Sequence, residues 1–155
     1  MKLQHVLLGL GAMLMLSSLP VHAGPPESDS CALLKPDDLS ALFGGAPVAK
    51  PIGDSCLWTA SGSSKQLNIL KYKNTGMAAD MAFMTARKNI SKSGPVTNET
   101  DLGDRAFSRL LPLGVVLLTI KQGQLLQLQL RTEAPGTEKD LDALRSVAKK
   151  VVATF

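Results

Sequence analysis

Two cysteines, Cys31 and Cys56, are the residues of this 155-residue chain whose side-chain chemistry is simplest to assign. Their spacing lies far outside the C-x-x-C pattern of dithiol redox sites. Two thiolates with no accompanying histidine also fall short of the four ligands that an ordinary zinc site needs. An even cysteine count in an exported chain is typical of disulfides, so we predict a Cys31–Cys56 bond that staples the fold.

Histidine is missing from the part of the chain that we expect to remain after export. His5 and His22 both lie within residues 1–23, and residues 24–155 contain none. This excludes Ser-His-Asp and Cys-His catalysis and every histidine-ligated metal site. We therefore predict a protein that is not an enzyme, and we assign it no cofactor.

Three methionines, Met77, Met81 and Met84, recur at the spacing of one side of a helix predicted over Met77–Ile90. The residues expected to face the core from the other side are Ala79, Ala82, Phe83, Ala86 and Ile90. Ordinary packing is the first interpretation of the methionines. The second is an adaptable contact surface for a partner or an apolar ligand, because thioethers repack readily. The third is a Cu(I) site.

A polar strand face is the other candidate for binding. The segment "GVVLLTIKQGQLLQLQLR", residues 114–131, has the pattern of a hairpin with Gly123 in its turn. Leucines in its second half alternate with polar residues, the period of a strand with one wet face. We predict that a partner contacts the polar side chains of this hairpin, namely Lys121, Gln127, Gln129 and Arg131.

The first 23 residues have the three parts of a secretory signal peptide. Lys2 supplies the positive charge, Val6–Leu19 is an apolar run, and Val21–Ala23 is a small-x-small cleavage signal. The run is too short to span a bilayer, and no cysteine follows directly to carry a lipid. We predict cleavage between Ala23 and Gly24, giving a periplasmic or secreted protein with no membrane span.

Residues 24–30, "GPPESDS", contain two prolines and no apolar side chain, which is typical of a flexible leader. The remaining residues, 31–155, are enough for a single domain with a core of its own. The formal net charge of the whole chain is only +4, its basic residues are spread out, and 4% of its residues are aromatic. Nucleic acid is therefore not an expected partner.

The predicted elements alternate between helices and sets of strands. A helix begins at Pro36 and ends at a left-handed Gly44 or Gly45, and a last helix begins at Thr137 with a near-capping box. The strands between them are predicted over Ala46–Ile52, Ser55–Ala60, Gln66–Tyr72, Val96–Thr100, Arg105–Leu110 and the 114–131 hairpin. We expect an α+β fold, an antiparallel sheet with helices packed on one face, divided into two α-β-β-β halves plus a C-terminal helix.

Three short motifs occur in this order along the chain. They are "CALLKPDDLSALFG" from Cys31, "CLW" from Cys56, and "DLGDRAF" from Asp101. In this respect the chain resembles a group of small secreted bacterial domains of unknown function, which carry a C-x-L-L helix, a C-x-W strand and a G-D-x-A-F turn. The resemblance implies a disulfide-stapled envelope domain and supplies no reaction or active site. Many members are lipoproteins, whereas this chain lacks a cysteine at the lipid position.

These observations predict an exported, non-enzymatic binding domain whose partner is another envelope or exported protein. An inhibitor or immunity-type protein is one concrete form, because a rigid surface loses little entropy on docking. The alternative is a small-molecule or soft-metal carrier that uses the face formed by Met77, Met81 and Met84.

Overall fold

The structure is a computed structural model that describes residues 29–155. The predicted signal peptide and most of the predicted leader lie outside the described residues. The elements, in chain order, are α1 (Pro36–Phe43), β1 (Pro47–Ile52), β2 (Ser55–Ala60), β3 (Gln66–Thr75), α2 (Met77–Ser91), β4 (Thr97–Glu99), β5 (Arg105–Leu111), β6 (Gly114–Lys121), β7 (Gln124–Arg131) and α3 (Glu138–Val152).

All seven strands form one antiparallel sheet in the order β1-β2-β3-β7-β6-β5-β4. The chain runs inwards from one edge through β1, β2 and β3. It then crosses by α2 to the opposite edge and returns through β4, β5 and β6, so that β7 pairs with β3 at the centre. The predicted α+β class and antiparallel sheet are confirmed. The first half is α-β-β-β as expected, but α2 is followed by four strands rather than three.

The helices occupy both faces of the sheet, which corrects the expected packing on one face. Along β6, Val115 and Leu117 belong to the core beneath α1 and α3, while Val116 and Leu118 belong to the core beneath α2. Because neighbouring residues of a strand point to opposite sides, these two cores lie on opposite faces. We call them the α1/α3 face and the α2 face.

The α1/α3 face holds the larger core, and the disulfide lies at its border. Cys31 and Cys56 are bonded, with Cα atoms 4.9 Å apart, as the sequence predicts. Cys56 is fully buried and Trp58, two residues later on the same side of β2, is 2% exposed. The bond therefore ties the segment leading into α1 to the second strand of the sheet.

Local signals explain where the two helices of this face begin and end. Pro36 opens α1, and Gly44 closes it in the left-handed conformation at φ 72°. Thr137 caps α3 by accepting from the backbone N–H of Asp140, and the Asp140 carboxylate accepts from the backbone N–H of Thr137. The predicted near-capping box is therefore a complete one.

Ser30 is part of the packed domain. Ser30, which the sequence places at the end of the flexible leader, is fully buried. Its hydroxyl donates to the Asp54 carbonyl at 2.6 Å and accepts from the Lys71 N–H at 3.0 Å. Ser30 thus bridges the chain just beyond the last β2–β3 pair, and its small polar side chain continues the pairing there.

No helix within residues 29–155 is long and apolar enough to cross a membrane.

Candidate functional site

One part of the α2 face has no helix over it. The helix α2 packs through Ala79 and Phe83 onto β5, β6 and the start of β7 and contacts the end of β3 near Tyr72, leaving β1, β2 and the rest of β3 without a helix above them on this side. The side chains of β1, β2, β3 and β7 on this side form a surface that we call the open sheet face. Its members are Val48, Lys50, Ile52, Ser55, Leu57, Thr59, Gln66, Asn68, Leu70, Gln127, Gln129 and Arg131.

The strand register arranges these residues in three rows across four strands. The rows are Ile52–Ser55–Leu70–Gln127, Lys50–Leu57–Asn68–Gln129 and Val48–Thr59–Gln66–Arg131. Tyr72 marks the boundary with α2, since its hydroxyl donates to Gln127 Oε1 at 3.1 Å while its ring packs against the α2 core. The sequence-predicted residues Gln127, Gln129 and Arg131 therefore do share one surface, and β3 adds side chains that sequence reasoning did not include.

The chemistry of the open sheet face is apolar and amide-rich at its centre and positive at two separate points. Val48 and Ile52, on the outermost strand, are 68% and 51% exposed. Lys50 and Arg131 are exposed cations, and neither forms an ion pair with another residue of the described range. No member of the face is acidic. The pattern suits contact with a surface that carries carboxylates and some apolar area.

One amide on this face lacks a partner. Asn68, in the middle row, has its side-chain oxygen buried without a hydrogen bond to another described residue. Buried polar atoms are nearly always paired in native proteins, so an orphan acceptor is unusual. The oxygen itself is shielded from solvent, although Asn68 lies between Leu57 and Gln129 on the open sheet face.

The sheet edges are less suited to binding than this face. The outermost strand β1 contains Pro47 and Pro51, which have no N–H to donate to an added strand. At the opposite edge, β4 spans only Thr97–Glu99. A partner that added a strand would find a blocked edge or a very short one.

Lys121 does not belong to this surface, although the sequence groups it with the other polar residues of the hairpin. It pairs with Gln124 beside the turn. Its neighbour Ile120 points into the α2 core, so Lys121 points to the opposite, α1/α3 side. The register across the two-residue turn decides this, since it places Lys121 in line with Leu126 and Leu128 and not with Gln127.

The three methionines form a second exposed surface, which we call the methionine ridge. Met77, Met81 and Met84 are 80%, 66% and 53% exposed along the outer side of α2. Ordinary packing is therefore the wrong interpretation of their spacing. The opposite side of α2 is buried as predicted, with Ala79 and Phe83 in the core.

Cations and aromatic rings fix α2 to the sheet without help from the methionines. Phe83 and Phe107 meet edge to face with centroids 5.2 Å apart, and the Arg105 guanidinium lies 5.2 Å from the Phe83 centroid. Arg109 donates from Nη1 to the Ile90 carbonyl at 2.5 Å and from Nη2 to the Ser93 carbonyl, at the helix end where a cation is favourable.

Arg105 also borders the methionine ridge. Its Nη2 donates to the Asp80 carboxylate, and its Nη1 lies 4.0 Å from the Met84 sulfur as a weak hydrogen-bond donor. Met84 forms one wall of a cleft of about 340 Å³ between α2 and the β4–β5 edge. The cleft is lined by Phe83, Met84, Arg87, Asn98, Glu99, Asp104, Arg105 and Ala106.

A polar cluster at the β4–β5 edge was not found by sequence reasoning. Glu99 accepts two hydrogen bonds from Arg145 of α3, at 2.7 and 2.8 Å, and one from Ser108. The hydrogen bonds from Arg145 hold the pKa of Glu99 below its ordinary value. A carboxylate held in this way is a poor proton acceptor near neutral pH, so the cluster serves to tie α3 to the sheet. The sequence carries no local signal for this cluster, because its two partners lie 46 positions apart.

Within residues 29–155, no group of three or more Cys, His, Asp or Glu side chains is placed to hold a metal ion. The search for similar proteins gives no match to a family model, to a curated protein or to a solved structure.

Proposed function

We propose that this protein is an exported, non-enzymatic binding domain that docks an acidic protein of the envelope or the secreted fraction on its open sheet face. The observation that carries the proposal is the mismatch between the two sides of the same strands. One side of β1, β2, β3 and β7 is sealed by α1 and α3, whereas the other leaves Val48 and Ile52 in solvent.

The charge of the face defines the partner. Lys50 and Arg131 lie on its outer and inner strands, roughly 16 Å apart, since three strand spacings of about 4.8 Å and two residues along the strand separate them. With no acid between them, they repel another cationic surface and attract carboxylates placed at a similar separation.

The rigidity of the domain supports an inhibitor or immunity-type role. The face is built on four paired strands, and the Cys31–Cys56 bond holds the outer pair against the core. Side chains on such a support lose less conformational entropy on docking than those of a flexible loop. Reaction chemistry has less support, since residues 24–155 contain no histidine and Glu99 is already bonded to Arg145.

Export is the setting for this function. The disulfide is compatible with an extracytoplasmic location. We propose that residues 1–23 are a signal peptide cleaved between Ala23 and Gly24, which gives a periplasmic or secreted domain. Membership of the small secreted bacterial domains that the chain resembles would agree with this.

Charge reversal on the open sheet face tests the proposal. The mature domain, a Lys50→Glu/Arg131→Glu variant and a Lys139→Glu/Lys149→Glu control are immobilised and exposed to envelope extract of the source cells. The control makes the same change of net charge on two exposed lysines of α3. We expect the wild type and the control to retain one acidic protein that the first variant loses.

Two results would contradict the proposal. One is equal retention of the same partner by all three proteins, which would remove the open sheet face from the contact. The other is the recovery of no specific protein by a correctly folded wild-type domain, which would remove protein binding itself.

The second candidate function is a small-molecule or soft-metal carrier that uses the methionine ridge. The exposure of all three thioethers favours it, because they are available to a ligand. An apolar ligand fits the surroundings better than Cu(I), since Arg105 lies beside Met84 and Lys88 follows on the same side of the helix. Titration with Ag(I) as a Cu(I) substitute tests the metal, and no binding at micromolar Ag(I) would remove it.

A further inference from the structure

We propose that the methionine ridge is an oxidation site, at which Met84 forms a sulfoxide whose oxygen is bound by Arg105. The inference is independent of the function proposed for the open sheet face. It depends on the exposure of the three thioethers, on their separation from both cores and on the position of one guanidinium.

Exposure makes the ridge reactive. The exposed fractions of Met77, Met81 and Met84 are 80%, 66% and 53%, and these are the only methionines of the described range. A thioether in contact with solvent is open to peroxides and hypohalous acids. The sulfur lone pair attacks one oxygen of hydrogen peroxide, the O–O bond breaks and an S–O bond forms. Methionine loses two electrons, and the departing hydroxide takes up the proton of the transferred oxygen to leave as water.

Oxidation of these methionines should not disturb the packing of the fold. Oxidation normally damages a protein when the new polar oxygen lies in a core or in an apolar interface of the fold. None of the three methionines is part of either core. The attachment of α2 depends instead on Phe83, Phe107 and the arginines of β5. The oxygens would therefore lie outside both cores and leave the packing of α2 intact.

Met84 differs from the other two because a donor already points at it. Arg105 Nη1 lies 4.0 Å from its sulfur, while Nη2 is occupied by Asp80. A sulfoxide oxygen is a much stronger acceptor than a thioether sulfur. An oxygen added on this side would shorten the gap to the length of an ordinary N–H···O bond without disturbing the Asp80 contact. The same donor draws on the sulfur lone pair, so Met84 should react more slowly than Met77.

The experiment separates Met84 from its neighbours. A Met77→Leu/Met81→Leu variant keeps Met84 alone, and a Met84→Leu variant keeps the other two. Each is prepared with Arg105 intact and with Arg105→Gln, then treated with hydrogen peroxide. Peptide mass mapping follows oxygen uptake, and thermal unfolding compares the reduced and oxidised forms. If Arg105→Gln does not fold, Arg105→Lys keeps the positive charge beside Asp80 but removes the forked geometry.

We expect each methionine to gain one oxygen, with Met77 about threefold faster than Met84. The oxidised Met84-only variant should unfold at a higher temperature than its reduced form, because it gains a hydrogen bond, whereas oxidation should leave the unfolding temperature unchanged once Arg105 is replaced. The Met84→Leu variant should show no dependence on Arg105. Failure of Met84 to oxidise would overturn the proposal. Equal effects of oxidation with and without Arg105 would overturn it as well.

Discussion

The two sides of the strands β1, β2, β3 and β7 are built from alternating residues of the same segments, yet they have opposite characters. Towards α1 and α3 they present Cys56, Leu67, Ile69 and Leu128, all fully buried. Towards the other side they present Lys50, amides and half-exposed leucines. A strand that only had to hold the fold together could leave an ordinary charged face in water, and the amide-rich, acid-free surface is the feature on which we base the proposed contact with a partner.

The largest expected loss of stability comes from removing the disulfide at the border of the α1/α3 face. Replacing both cysteines by alanine should lower the free energy of unfolding by about 3.5 kcal/mol, because the disulfide restricts the unfolded chain. Urea titration of the wild type and the variant measures this loss. The matched change on the open sheet face, Val48→Ala/Ile52→Ala, should cost less than about 1 kcal/mol, since both side chains are mostly in solvent. Similar losses of unfolding free energy in the two variants would show that the two sides of these strands contribute equally to stability.

Neighbouring residues of β3 give the next comparison. Ile69 is fully buried beneath α1 and α3, whereas Leu70 is half-buried on the open sheet face. Ile69→Ala should destabilise the domain by about 3 kcal/mol through lost burial and a cavity. Leu70→Ala should cost about 1 kcal/mol. Chemical denaturation of the pair measures both, and equal values would show that the open side is packed as a core.

Lowering the pH should reveal how much the Glu99–Arg145 pair contributes to stability. The pKa of Glu99 is lowered chiefly by its hydrogen bonds from Arg145, so its folded value lies below the unfolded value. The resulting stability is fully present above the unfolded pKa and is lost as the pH falls through the folded value. Unfolding free energies measured from pH 7 downwards should therefore fall more steeply for the wild type than for Glu99→Gln.

The arginine of this pair provides the control. Arg145→Gln removes the cause of the lowered pKa, so its acid limb should resemble that of Glu99→Gln. At neutral pH this variant should lose about 2 kcal/mol, because the Glu99 carboxylate remains largely buried without its cation. An unchanged acid limb in either variant would show that the pair contributes nothing to the pH dependence of folding.

The smallest expected effect on the free energy of unfolding is a gain in stability. Asn68→Leu removes a buried oxygen that has no partner within the described residues, and it should stabilise the free domain by about 1 kcal/mol. The same change should leave partner capture nearly unchanged, since the oxygen is shielded from the surface. Thermal unfolding and the capture assay, applied to one preparation, measure the two effects. A loss of stability would show that Asn68 is already satisfied in the free domain.

Local features were predictable from the sequence, because local chemistry decides them. Pro36 and Gly44 bound α1, Thr137 and Asp140 cap α3, and the even cysteine count was sufficient to predict the disulfide. The buried side of α2 also followed from helical periodicity. These signals lie within one or two turns of chain, so the rest of the fold does not alter them.

The position of the open sheet face was not predictable, because it depends on which distant strands meet. The pairing of β3 with β7 places Asn68 beside Gln129, and the crossing of α2 to the opposite face leaves both uncovered. The sequence pattern placed Lys121 on the wrong side of the sheet for a related reason, because the register across the β6–β7 turn decides which side it faces. The methionine ridge was visible as a pattern, but whether a neighbouring element covered it depended on the tertiary structure.

Site-specific photo-cross-linking tests the central claim most directly. A benzophenone amino acid is placed at Val48 on the open sheet face, at Met81 on the methionine ridge or at Ser146 on the outer side of α3, all exposed positions. Irradiation in source cells should give a discrete adduct with an acidic protein from Val48 and none from Ser146. An adduct from Ser146 or Met81 with none from Val48 would contradict the assignment of the open sheet face as the binding surface.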